Sequence, residues 1–89
     1  MNLEIIIQYN LFLYLITEIK KIDTNHVFNI DIEMIKKSTK PDNFVIYLNN
    51  FTEQYGISQI ICRSNTNYLD YENIYLQCIR ILKQKEVKK

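Results

Sequence analysis

The stretch Pro41-Asp-Asn-Phe-Val-Ile-Tyr-Leu-Asn-Asn-Phe-Thr-Glu-Gln-Tyr-Gly56 is bounded by the only proline and the only glycine of the chain. Proline suits the first turn of a helix, where its missing N–H is not needed. Glycine suits the position just past the end, where a positive φ is required. The pair therefore predicts one short helix. Within it Phe44, Tyr47, Leu48, Phe51 and Tyr55 recur at the spacing of a single buried face. Asn43, Ile46, Asn49, Asn50 and Glu53 fall on the opposite face.

Just upstream, Ile30-Asp-Ile-Glu-Met-Ile-Lys-Lys-Ser-Thr39 predicts a shorter helix over 32–38. Asp31 is placed to cap it, Glu33 lies in its first turn, and Lys36 and Lys37 lie in its last, each matching the helix dipole. Ile32, Met34 and Ile35 supply its packing face. Lys40 precedes Pro41, which pushes the lysine backbone out of the α region and sharpens the turn. Further back, Val27-Phe-Asn-Ile30 reads as a brief strand. Asp23-Thr-Asn-His26 reads as a turn closed by its own side chains.

Residues 2–22 predict a long helix. Leu3, Ile6, Ile7, Leu11, Tyr14, Leu15, Ile19 and Ile22 recur at helical spacing and read as its core face. Ile5, Tyr9, Phe12, Leu13 and Ile16 widen the apolar surface well beyond that stripe. A helix apolar nearly all round is buried on more than one side. In a domain of this size the second side predicts a homodimer interface at those five residues, the alternative being a helix wrapped by its own domain. The segment is not a membrane span, because Glu4, Gln8 and Asn10 interrupt it and about 20 apolar residues are needed. It also lacks the basic flank and small-residue cleavage site of a secretory signal. The expectation is a soluble, cytoplasmic protein.

Past Gly56, Ile57–Ser64 reads as a strand and Asn65-Thr-Asn67 as turn material. The next segment, Tyr68–Lys85, has two readings. As a helix, it would be capped by Asp70, with Tyr71, Ile74, Tyr75, Cys78 and Leu82 on one face. As a strand, Ile74-Tyr-Leu-Gln-Cys-Ile-Arg-Ile-Leu82 is rich in β-branched and aromatic residues and would pair with Ile57–Ser64. That enrichment favours the strand, leaving residues 83–89 as a basic tail.

The order from Val27 to about Leu82 (short helix, turn, longer helix, hairpin) resembles the winged helix-turn-helix family. The resemblance implies an α+β fold in a single domain over 1–89. Residues 31–56 would be the helix-turn-helix and 57–82 the wing. It further implies double-stranded DNA as a partner, with the second helix in the major groove and the wing on the flanking backbone or minor groove. Lys36, Lys37 and Lys40 would then meet phosphates, with Thr39 beside them. Asn43, Asn49 and Asn50 would face base edges, where an adenine contact discriminates by about 1–3 kcal/mol. Arg63, Ser64, Asn65, Thr66 and Asn67 would form the wing tip. The helix inside the bracket has no Lys or Arg and carries Asp42 and Glu53, which shifts the expected contacts toward the flanking lysines and the wing.

Composition narrows the function classes further. The 89 residues suit one domain, and a hydrophobic content of 47% suits a folded one. The abundance of Ile, Asn, Lys, Tyr and Phe is what AT-rich codons produce. The net charge is only +1, from 11 basic and 10 acidic residues, far from the strongly basic balance of a non-specific nucleic-acid binder. Cys62, Cys78 and the single His26 match no zinc spacing. Both thiols read as small core residues in a reducing compartment. No phosphate loop or nucleophile motif is present, so neither an enzyme nor a cofactor is expected. A chain this short suits a plasmid or phage accessory factor in transcription, partition or DNA transfer. The alternative is a protein-interaction module, such as a mobile-element inhibitor or assembly subunit, suggested by the near-neutral charge and the over-apolar first helix.

Overall fold

Four α-helices make up the regular structure of residues 3–58 and 68–87, the residues described by the computed structural model. They are α1 (Leu3–Ile22), α2 (Ile32–Ser38), α3 (Phe44–Gln54) and α4 (Tyr68–Val87). No strand occurs among the described residues. The expected α+β winged helix-turn-helix is therefore corrected to an all-helical fold. Residues 68–82, expected in the wing hairpin, belong to α4, and the helix runs on into the segment expected as a tail.

The physical reason is packing. Tyr71, Ile74 and Cys78 recur at helical spacing and are buried, and α4 lies along α1. A 20-residue amphipathic helix gains most of its stability from such a face, which overrides the β preference of its Ile and Tyr residues. Asp70 in the first turn and Lys85 in the last also match the helix dipole.

The chain from α1 to α2 is irregular, so the brief strand expected at 27–30 is also corrected. Asp23 is buried at the end of α1, and its two carboxylate oxygens accept the N–H groups of Val27 and Phe28, each at 2.7 Å. His26 takes a positive φ of 55° within this turn. Lys20 Nζ donates to the Ile30 carbonyl at 2.8 Å. These bonds satisfy backbone groups without a ladder and bring Phe28 and Ile30 into the core. Asp31 then caps α2, accepting the Met34 N–H at 3.2 Å. Met34 itself is 62% exposed, so Ile35, not Met34, anchors the short helix.

Pro41, Asp42 and Asn43 form a turn, and α3 follows it. The Lys40 carbonyl accepts both Asn43 N–H and Phe44 N–H at 3.0 Å, while Asn43 Oδ1 accepts the Lys40 N–H at 2.7 Å. At the other end Gly56 has φ +70°. Its N–H reaches the Glu53 carbonyl and the Ile57 N–H reaches the Thr52 carbonyl. This is the paired closure of a Schellman motif, with buried Ile57 as its apolar contact.

The core is aromatic on the α3 side. Phe12 lies 5.3 Å from Phe44 and 5.7 Å from Tyr47, ring centroid to centroid. Phe51 lies 5.0 Å from Tyr55 and 5.5 Å from Phe28, and Phe28 meets Tyr55 edge-on at 4.7 Å. Leu48, Ile16, Ile19, Ile74 and Cys78 fill the centre.

Candidate interaction surfaces

Three of the expected DNA contacts stand free at the α2–α3 turn. Lys36, Lys37 and Lys40 are exposed, and no ion pair engages them among the described residues. Their neighbours serve the fold. Thr39 is buried: its hydroxyl donates to the Ile35 carbonyl at 2.6 Å, and its own carbonyl accepts from the Tyr9 hydroxyl at 2.9 Å. Asn43 is exposed but spends its carbonyl oxygen closing the turn. On the outer face of α3, Asn50 is exposed and Asn49 is half-buried, with Ile46 65% exposed and Glu53 alongside. That face carries amides, one aliphatic and one acid. Arg63, Ser64, Asn65, Thr66 and Asn67 lie outside the described residues, as does Cys62.

The faces expected on α1 are exchanged only in part: Leu15 and Ile19, expected in the core, are buried there. Phe12 and Ile16, expected at a dimer interface, have no exposed surface, because they pack inside their own domain. Tyr9 and Leu13 are half-buried against the same core, and only Ile5, at 39%, is exposed. Leu3, Ile7 and Tyr14, expected in the core, are 69%, 51% and 63% exposed. The aromatic partners offered by Phe44 and Tyr47 on α3 decide the rotation of α1, and helical spacing alone carries no information about them.

Leu3, Ile7 and Tyr14 share a row with exposed Asn10 and Lys21 and half-buried Thr17. Positions 3, 7, 10, 14, 17 and 21 alternate by four and three, and are Leu, Ile, Asn, Tyr, Thr and Lys. This spacing was the signal available for the outer face, since it keeps one stripe toward a neighbouring helix. Elsewhere Met34, Ile46 and Leu76 (56%) are exposed singly, which is ordinary for a folded surface.

The remaining chemistry is sparse. Cys78 is a free, fully buried thiol; burial, and secondarily the negative charge of Asp23, pushes it up to about 12. Among the described residues, no group of three or more His, Cys, Asp or Glu is arranged to hold a metal ion. No helix of the described residues is long and apolar enough to cross a membrane. The chain matches no protein-family model, and comparison with curated proteins and with solved structures finds no similar protein.

Proposed function

We propose that this domain is a helical protein-interaction module that self-associates through the outer face of α1. The observation that carries this reading is the Leu3–Ile7–Tyr14 row, exposed on the side of α1 that faces away from the core. Its four-three spacing extends along the whole helix, so a second copy of α1 can follow it from end to end. Asn10, in the middle of the row, is the kind of residue that sets register at such a seam. Sedimentation at roughly tens of micromolar, where a micromolar dimer is formed, tests the reading. A dimer is expected for the native chain and a helical monomer for Ile7→Glu. A native chain that stays monomeric overturns it.

A second reading is favoured by one observation, the three exposed lysines at the turn before α3. They suit phosphate contact by a helix-turn-helix on double-stranded DNA, with a dimer presenting two such turns. Gel shifts at two salt concentrations test this reading. Binding that falls steeply with salt and is lost in Lys36→Ala/Lys37→Ala/Lys40→Ala supports it. Absence of binding at low salt leaves the protein-interaction reading alone.

A further inference from the structure

The outward row of α1 is unequal along its length. Leu3, Ile7 and Tyr14 supply its exposed apolar surface, and Lys21 closes it at the C-terminal end. The charges are unequal too. Glu4 stands in the first turn of α1, while Glu18, Lys20 and Lys21 stand near its end. Lys21 holds Glu18 at 3.0 Å, and Lys20 Nζ donates to the Ile30 carbonyl at 2.8 Å, so both cations are kept at that end. Such a helix does not accept a second copy of itself equally in both directions.

Laid parallel and in register, two α1 helices place Lys20 and Lys21 of each copy together, four cations against two Glu18 carboxylates. Both Glu4 carboxylates then meet at the opposite end, and like helix ends lie side by side. Laid antiparallel, the four-three spacing brings position 3 opposite 21, 7 opposite 17 and 10 opposite 14. Each end of the seam then carries Glu4 of one copy beside Glu18, Lys20 and Lys21 of the other, two carboxylates against two cations. Opposite helix ends also lie together. The same register sets the Tyr14 hydroxyl beside the Asn10 amide of the second copy, groups that can donate to and accept from one another. The stem of Lys21 covers Leu3 while its ammonium stays in water.

We propose that two copies of this chain pair antiparallel along α1, about a two-fold axis crossing the helix between Asn10 and Tyr14, with Glu4 of each copy facing Lys21 of the other. The pairing rests on the self-association reading and adds to it the direction of the partner and the charges that select it.

The test is a double-mutant cycle on the dissociation constant, measured by sedimentation, with Glu4→Lys, Lys21→Glu and the two together. Both positions are exposed, and circular dichroism checks that each variant keeps its helices. Each single substitution should weaken the dimer at least about fivefold, and the double substitution should return it to within about twofold of native. Within one helix the two positions are about 25 Å apart, so a parallel pair gives additive changes instead. In a mixture of Asn10→Cys and Tyr14→Cys chains, oxidation should link unlike chains through positions 10 and 14, read by mass spectrometry of the joined peptides. A native chain that stays monomeric overturns self-association and this pairing with it. A native dimer with an additive cycle, or with cross-links between like chains only, overturns the antiparallel direction alone.

Discussion

Asp23 carries more of this fold than its place in a polar turn suggests. Its buried carboxylate holds two backbone N–H groups at 2.7 Å, and its own N–H closes the last turn of α1 on the Ile19 carbonyl at 3.0 Å. That geometry delivers Phe28 to Phe51 and Tyr55. Hydrogen bonds to a charged group contribute about 1.5–3 kcal/mol each, so Asp23→Ala is expected to destabilise by about 3 kcal/mol or more. Urea unfolding checks this, the midpoint falling with an unchanged slope. A turn at Asp23 was legible in the sequence; its burial was not, because no local pattern shows that the chain beyond it must fold inward. Gly56 is the opposite case. A side chain there meets open space, so its requirement is the positive φ alone, and that was readable from a lone glycine after an amphipathic run.

Among the elements, α2 and α3 form where capping and punctuation place them, with Asp31 at one cap and Gly56 past the other. These signals are local, so they survive whatever the rest of the chain does. The form of α4 depended on a distant partner. Its Ile and Tyr residues suit a strand, and only the buried face of α1 makes a helix the better solution. This has a direct test at Leu76, which is 56% exposed and therefore contributes little packing. Leu76→Ala should change stability by about 0.5 kcal/mol or less, while Leu76→Pro should cost about 3 kcal/mol or more and lower the helical circular dichroism. A proline tolerated there would contradict a helix at this position. The rotation of α1 was equally illegible: both of its faces are apolar, and the rings of Phe44 and Tyr47 select between them.

At the scale of the whole molecule, the balance of 11 basic and 10 acidic residues leaves little net field, so stability against pH is governed by buried groups. Cys78 is raised to about 12, and Tyr71 and Tyr47 are raised by burial, with Asp70 and Tyr55 adding to them respectively. For each, the unfolded chain loses its proton first as pH rises. Folding therefore opposes deprotonation, and stability falls above about pH 9 through Cys78 and above about pH 10 through the tyrosines, by up to about 1.4 kcal/mol per pH unit for a group deprotonated only in the unfolded chain. Thermal unfolding between pH 7 and 11 should show a falling Tm, and Cys78→Ala should flatten the first part of that fall. The sequence alone determined the pair of short helices, the caps, the α3 core face and the near-neutral charge, because each rests on neighbours within a turn or on simple composition. Packing between distant segments decided the all-helical class and the outward row of α1. Those features exist only where α1 meets α3 and α4, and the free energy that selects them comes from surfaces buried between residues far apart in the chain.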